Sequence, residues 1–489
     1  MVSSLVGAVV AEAGELRVDV VPAFDGVVRA GGWTELAVRV VSDIGGDVQV
    51  ESSAGALHSG TAGRVEARVP AVFRLPVRVR SEDRLGVAVR GPGGARRRVP
   101  VSLRLLTAGE HVVARAGGAL RLDAPGLVAV RTDAAGLPAA ARAFELVDVL
   151  VLDVAMLGGL EGLQLEALES HLGQCGRVLL VDAPEPALRR ARERAGCGGA
   201  FVEAVGNGKA VGDAVERLLA RPAPVLPDPR RLAALLPGDG RPAAARPLVG
   251  FFLGYGGALA LAIVTIRRAW LLLALPVAAT VLMLVALGSA RPGVTLGSWT
   301  EATSGAATAR FAALLRIDGI APRSVAVEVP RALGLPDPLG EDAGTTLRLT
   351  AGDFAGTRLD VRTALLSEHD LHLHGTLDWT APLAVEIGPA GPRVENRARA
   401  RSRPGYLVWR GEVFALPALD PAAAWSPPTS EPLPHAALPP VFRGWVGNGP
   451  ALGREPAFVL LPGTPEPMLG IGTTAAAAGW IVIRSRQTG

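Results

Sequence analysis

The chain of 489 residues has almost no lysine and little net charge. Lys209 is the single lysine among the 50 basic residues, and the formal net charge at neutral pH is only +4. The longest basic run, Arg96 to Arg98, is typical of a solvated strand edge rather than a binding patch. No arginine-rich stripe is interleaved with aromatic residues, which make up 4% of the chain. These absences exclude nucleic acid as a partner.

Charged residues are also missing from two long apolar segments. These segments cover residues 248–266 and 269–290, and Arg267 and Arg268 stand between them. Since roughly 20 apolar residues span a hydrocarbon core, the pattern predicts a transmembrane hairpin over residues 248–290, with membrane lipid as a partner. Short loops rich in arginine mark the cytoplasmic side. We therefore predict a two-pass protein of the bacterial inner membrane whose other parts are periplasmic.

Small residues follow one face of the first apolar segment. Gly250, Gly254 and Ala258 recur at helical spacing, which lets helix backbones approach closely in lipid. Packing of this face on the second segment is the favoured interpretation. Contact with a partner subunit is the alternative.

The first residues, 1–14, resemble part of a secretory signal. Leu5 to Val10 is a short apolar core, and Ala11 to Ala13 fits a small-residue cleavage pattern. A basic start is missing and the core is short, so a signal-peptide remnant and a simple lead-in strand both fit.

Most of the remaining sequence alternates apolar and polar residues over short stretches. In residues 15–107 this pattern predicts an antiparallel β-sandwich of immunoglobulin-like size. It also predicts a mainly-β domain over residues 291–420. Proline-rich sequence predicts a linker over residues 221–247 and an extended segment with C-terminal strands over residues 421–489.

Residues 108–220 carry a different pattern. Residues 148–153 and 176–182 are continuous apolar runs, as in strands buried on both faces, while residues 160–172 repeat leucine at helical spacing. Alternation of strand and helix predicts an α/β domain with a parallel sheet of flavodoxin-like type.

The stretch "FELVDVLVLDVAML", followed by "LQLEALESHLGQCGRVLLVDAP", resembles the class I glutamine-amidotransferase-like fold. In active members of that fold, a cysteine follows the strand at a sharp turn into a helix. This chain has Asp182 and Ala183 at the corresponding positions, whereas Cys175 precedes the strand. No G-x-S-x-G or G-x-C-x-G motif occurs in the sequence. The resemblance therefore implies a degenerate, non-catalytic domain, and we predict neither an enzyme nor a cofactor.

Two aspartates end predicted parallel strands. Asp153 and Asp182 lie at the carboxyl edge, where ligands bind in such sheets, and are the candidate ligand-binding residues. Helix capping or loop hydrogen bonding is the alternative role. "GNGKAVG", which contains Lys209, lacks the spacing and the following Ser or Thr of a phosphate-binding loop.

The two cysteines, Cys175 and Cys197, fall at the same amino-terminal edge of the predicted sheet. A disulfide that closed the intervening loop would stabilise the domain by about 3 kcal/mol. Two unpaired buried thiols are the alternative, because spacing alone does not supply the required geometry.

Three histidines are clustered in "SEHDLHLHG". His372 and His374 share one face of a predicted strand, at the spacing of a metal pair, and His369 lies nearby. Leu371 and Leu373 occupy the opposite face, so we favour the interpretation that the histidines form the solvent-exposed face of an amphipathic strand. No metal is therefore predicted.

The order of segments resembles membrane proteins encoded with MoxR-type AAA ATPases and von Willebrand-domain partners in bacterial envelope systems. This resemblance implies protein partners in an envelope complex. We predict a non-catalytic scaffold or interaction partner in envelope assembly or maintenance. The alternative is a membrane-anchored sensor that binds a small ligand at the carboxyl edge of the α/β sheet.

Overall fold

The protein is built mainly from β-strands, which account for 51% of the computed structural model. The described residues are 15–54, 57–80, 84–118, 125–206, 210–222, 226–236, 254, 257, 293–319, 323–329, 334–339, 346–351, 357–363, 367–428, 432–440, 442–443, 457–463 and 476–485.

The strands before the proline-rich linker are β1 (Leu16–Pro22), β2 (Val27–Val28), β3 (Trp33–Ser42), β4 (Gly46–Ala54), β5 (Leu57–Val65), β6 (Ala71–Arg78), β7 (Arg84–Arg90), β8 (Arg96–Ser102), β9 (Arg104–Leu105), β10 (His111–Ala116), β11 (Leu127–Thr132), β12 (Val149–Asp153), β13 (Val178–Val181) and β14 (Val202–Val205). The later strands are β15 (Gly293–Thr303), β16 (Thr308–Gly319), β17 (Arg323–Val329), β18 (Asp337–Leu339), β19 (Thr346–Ala351), β20 (Thr357–Thr363), β21 (Ser367–Asp378), β22 (Leu383–Gly388), β23 (Gly391–Asn396), β24 (Gly405–Trp409), β25 (Glu412–Leu416), β26 (Ala424–Trp425), β27 (Ala457–Pro462) and β28 (Ala476–Arg484).

Helices of the described ranges are short. The α-helices are α1 (Gly162–Gly173), α2 (Glu185–Arg194), α3 (Ala210–Ala220) and α4 (Pro229–Ala233). Single 3-10 turns lie at Ala23–Gly26, Pro92–Gly94, Ala141–Leu146, Val154–Gly159, Cys197–Gly199 and His435–Ala437.

Strands β1 and β3 to β8 form the unit called here the N-terminal sandwich, and β2 pairs separately with β9. Antiparallel β1, β3 and β6 make one sheet, while β4, β5, β7 and β8 belong to a second. Alternate apolar residues of both sheets face inward, so that Leu36 and Val38 of β3 share a core with Val48 and Val50 of β4. This burial stabilises the pairing of the two sheets.

Strands β10 to β14, with α1 to α3, form a second unit, called here the α/β layer. All neighbouring strands are parallel, in the order β11-β10-β12-β13-β14. Leu150 faces a core that includes Leu168 of α1, whereas Val151 faces a core that includes Val215 of α3. Burial on both faces explains the unbroken apolar sequence of these strands.

An eight-stranded sheet, called here the C-terminal sheet, has the order β18-β21-β16-β15-β28-β27-β24-β25. Strand β28 lies in its middle, parallel to β15, with Thr295 opposite Ala476. Strands β22, β23 and β26 form a small separate sheet.

The N-terminal sandwich and the later part of the chain share one sheet. Strand β19 pairs in parallel with β5, with Leu347 opposite Leu57, and this adds β17, β20 and β19 to β5, β4, β7 and β8. Residues 15–107 and 291–420, which form separate regions by sequence pattern, are therefore joined through backbone hydrogen bonds.

The predicted membrane fold requires correction. Within the described ranges, no helix is both long and apolar enough to cross a membrane. The predictions of a multidomain membrane protein, of a two-pass topology and of an inner-membrane location are wrong on this finding, and the protein has a multi-sheet, β-rich architecture. Hydropathy reports how readily residues leave water, but a transmembrane hairpin also requires two helices that are each long enough to span the hydrocarbon core. The segment 248–290, including Gly250, Ala258, Arg267 and Arg268, lies outside the described residues except for Gly254 and Gly257.

Candidate functional site

A cleft of about 640 Å³ lies where the three units meet. Its walls come from β3 and β6 of the N-terminal sandwich, from α1 and the Ala141–Leu146 turn of the α/β layer, and from β21 of the C-terminal sheet. Ligand sites in proteins commonly enclose roughly 300–1,000 Å³ and often lie between domains. Position and size therefore make this cleft the candidate site.

Glu35 fixes the wall between the N-terminal sandwich and the α/β layer. Its side chain is only 2% exposed and accepts hydrogen bonds from the backbone N–H of Ala139 at 3.0 Å and of Ala140 at 2.7 Å. The guanidinium of Arg74 lies 3.2 Å away and donates a further bond. Burial raises the pKa of the Glu35 carboxyl, while these donors oppose that shift. The carboxyl thus holds the start of the Ala141–Leu146 turn on β3.

Arg142 fixes the opposite wall. Its side chain is 3% exposed, and its guanidinium lies 3.0 Å from Glu145 Oε1 and 3.3 Å from Asp337 Oδ2. It also contacts the ring of His374 on β21. Asp337 pairs in turn with Arg78 of β6 at 2.7 Å. Arg142 therefore joins the α/β layer to the C-terminal sheet, and the Asp337–Arg78 pair extends this connection to the N-terminal sandwich.

The candidate metal residues do not converge. His372 and His374 lie on the same face of β21, with ring centroids 5.1 Å apart, whereas His369 lies on the other face and contacts Ser367. Burial, with the neighbouring His374 and Arg142, lowers the pKa of His372 to about 3. Within the residues that the structure describes, no group of three potential ligands can hold a metal ion.

The predicted carboxylate pair lies away from the cleft. Asp153 and Asp182 end the neighbouring parallel strands β12 and β13. Asp153 accepts hydrogen bonds from Arg115 at 3.1 Å and from the backbone N–H of Gly118 at 2.7 Å, which is a loop-bonding role. Asp182 is exposed and has a left-handed φ of 53°.

Cys175 and Cys197 form a disulfide with a Cα–Cα distance of 5.7 Å. The bond lies at the amino-terminal edge of the parallel sheet, and Arg310 of β16 approaches Cys175 Sγ to 3.6 Å. Burial opposes the charge of Glu301, but Arg310 and Arg484 hold the pKa of the Glu301 carboxyl below its usual value. The disulfide of the α/β layer thus packs against a buried ion triad of the C-terminal sheet.

Lys209 and Gly254 are the remaining positions that the sequence singled out. Lys209 lies outside the described residues. Gly254 is helical, and nothing described lies within 4 Å of the position that a Cβ would take there.

Glu35 and Arg142, which define the cleft, carry no signal in the sequence. Glu35 lies on the β3 face that alternation marks as solvent-facing, because its neighbours Thr34 and Leu36 face the sandwich core in register with Val38. Another unit covers that outer face, so its burial depends on contacts with residues about 100 positions later, at Ala139 and Ala140.

Comparisons with known proteins add little. No protein-family model and no curated protein matches the chain. Among solved structures, the CARDB domain of a Pyrococcus furiosus protein in complex with di-metal ions aligns at 14% identity and a TM-score of 0.16, over 20% of this chain and 98% of that one. A likeness at this level carries no argument about fold or function.

Proposed function

We propose that this protein is a non-catalytic interaction and scaffold protein that recognises its partner in the cleft between the three units. The observation that carries the proposal is the cleft itself, with walls fixed from both sides by the buried charges Glu35 and Arg142. A site whose walls are already held in place loses little conformational entropy when a partner binds.

The chemistry around the cleft supports binding rather than turnover. Its buried charged groups pair with one another, as Glu35 does with Arg74 and Arg142 with Glu145, so they serve the framework. Both cysteines of the chain are used in the disulfide, which removes the thiol as a nucleophile. The degenerate glutamine-amidotransferase-like character and the kind of protein partner remain predictions from resemblance.

Site-specific photo-crosslinking tests the proposal. A photoreactive amino acid replaces Leu163, which lines the cleft from α1, in the full-length protein within the producing cell. The matched control carries the same group at Leu165, which is 37% exposed on the same helix and is not part of the cleft wall. We expect one discrete protein adduct from position 163 and none from position 165. Equal labelling at both positions, or none at 163, contradicts the proposal.

A second candidate function is the binding of a small ligand at the carboxyl edge of the parallel sheet. Asp182 favours it, since an exposed non-glycine residue with φ of 53° stores about 1–2 kcal/mol of backbone strain, and such strain is frequent at functional sites. In a small-molecule screen followed by amide NMR, shifts at Asp153 and Asp182 without shifts at Ala139 and Ala140 favour this candidate.

A further inference from the structure

Three histidines border the Ala141–Leu146 turn, whose Arg142 and Glu145 contact the C-terminal sheet. His171 of α1 stacks on Phe144 of the Ala141–Leu146 turn, with ring centroids 5.2 Å apart. His374 of β21 contacts Glu145 of the same turn, and His372 lies 5.1 Å from His374. The turn is therefore enclosed by imidazole rings from two units.

Two of these rings would carry a buried, unpaired positive charge if they were protonated. The Nε2 atoms of His171 and His372 are buried and have no hydrogen-bond partner among the described residues. His171 is 8% exposed and stacks on the Phe144 ring, and Glu145, whose charge also reaches it, already pairs with Arg142. A charged imidazole in either place would be a buried cation without a paired anion, which is costly.

The carboxylates that face the cluster are already engaged. Glu145 pairs with Arg142 and His374, and Asp337 of β18 pairs with Arg142 and with Arg78 of the N-terminal sandwich. Asp228, which also faces His372, accepts a hydrogen bond from the backbone N–H of Arg231 at the start of α4. Arg142, in the centre, already supplies a positive charge.

We propose that His171 and His372 form an acid-sensitive latch, which holds the α/β layer on the C-terminal sheet through the Ala141–Leu146 turn and releases it when these two rings gain protons. The proposal goes beyond the proposed function and does not depend on what occupies the cleft. The chemical trigger is the hydronium concentration alone, without a ligand or a partner.

The sign of the effect follows from proton linkage. Burial lowers the pKa of His171 to about 4 and that of His372 to about 3. An opened contact returns each ring to its ordinary pKa of about 6.5, so opening takes up protons. The latch is therefore at full strength above about pH 6.5 and weakens as the pH falls from there toward the folded-state values. Near pH 5, each of these two rings shifts the open-to-closed equilibrium by about 30-fold.

Protonation of the buried carboxylates changes the folding stability in a different pH range from the histidines, or in the opposite direction. Neighbouring cations hold the pKa values of Glu145 and Glu301 down against burial, so their contributions are lost only below the ordinary carboxyl range near 4.5. Burial raises the pKa values of Glu35 and Asp318, and these groups favour the folded state as the pH falls. Destabilisation between about pH 6.5 and about pH 5 therefore belongs to histidines.

Hydrogen–deuterium exchange of the full-length protein, corrected for intrinsic exchange rates, tests the latch between about pH 7 and about pH 5. We expect protection of β21 and of the Ala141–Leu146 turn to fall by at least about 30-fold, while protection of β3 changes little. The variants His171→Phe and His372→Leu fill the same space without a titrating group and should each flatten this pH dependence. His58→Gln, at an exposed histidine of β5, is the matched control and should leave it unchanged.

A pH dependence that is unaltered in both apolar variants overturns the proposal. Should either variant fail to fold, the imidazole C–H resonances of the wild-type protein provide an independent measurement. His171 and His372 should remain neutral down to about pH 5, so titration of both rings near the ordinary value of about 6.5 also overturns the proposal.

Discussion

Each wall of the cleft is held in place by a buried charge, and the two charges have opposite signs. At the wall toward the N-terminal sandwich, the buried carboxyl of Glu35 is held by backbone N–H groups and Arg74. At the wall toward the C-terminal sheet, Arg142 is the central charge and histidine rings surround it. Burial raises the pKa of Glu35, so protonation of its carboxyl does not oppose folding. Protonation of His372 would instead add a positive charge beside Arg142. A fall in pH should therefore loosen only the wall toward the C-terminal sheet.

The largest effect is expected from Glu35→Ala, which breaks the first wall. It leaves the N–H groups of Ala139 and Ala140 and the Arg74 guanidinium buried without their acceptor. Loss of one partner from a buried charged pair costs about 3–5 kcal/mol, to be measured as the free energy of unfolding in urea. Glu35→Gln keeps an oxygen acceptor and should cost less. A loss below about 1 kcal/mol for the alanine variant would contradict the role assigned to Glu35.

An intermediate effect is expected from Cys175→Ser combined with Cys197→Ser, which acts on the contact between the α/β layer and β16 of the C-terminal sheet, outside the cleft walls. Removal of the disulfide frees a loop with a sequence separation of 22 and should cost about 3 kcal/mol of unfolding free energy. Because Arg310 contacts Cys175, exchange protection of β16 should fall together with that of α1. The single variant Arg310→Met removes the ion triad but keeps the disulfide, so it measures the contribution of the triad alone. If β16 stays fully protected in the double variant, the two features are independent.

The smallest effect is expected from Asp182→Gly, a change outside both walls. Glycine adopts the left-handed φ of 53° without strain, but it also gives the unfolded chain more freedom. We expect stabilisation of at most about 1 kcal/mol by thermal unfolding and no change in the pH dependence of either wall. Asp182→Asn, which tolerates this φ and removes the charge, is the control. A clear loss of stability in the glycine variant would show that the contacts of Asp182 outweigh the relief of backbone strain.

Local pattern predicted much of the secondary structure but little of the site. The apolar runs at 148–153 and 176–182 contain the strands Val149–Asp153 and Val178–Val181, because two-sided burial leaves a continuous apolar signature. The same layout placed Cys175 and Cys197 at one sheet edge, where the structure joins them.

The local sequence pattern did not predict contacts between distant segments. The pairing of β19 with β5 is made by backbone hydrogen-bonding groups. Because almost every residue carries these groups, the pattern of side chains does not predict which strands pair. The burial of Glu35 and Arg142 depends on which unit covers them. The membrane hairpin was predicted from hydropathy alone, and within the described ranges no helix is long and apolar enough to cross a membrane.

The place of β28 in the middle of the C-terminal sheet has a consequence for biosynthesis. Because Thr295 pairs with Ala476, strands β15 and β16 emerge from the ribosome long before the neighbour that completes their sheet. Translation at about 5–20 residues per second leaves this edge open for on the order of ten seconds, a period in which open strand edges invite aggregation. A nascent chain released before β28 would expose the edge permanently, so premature termination should yield insoluble rather than partly working protein.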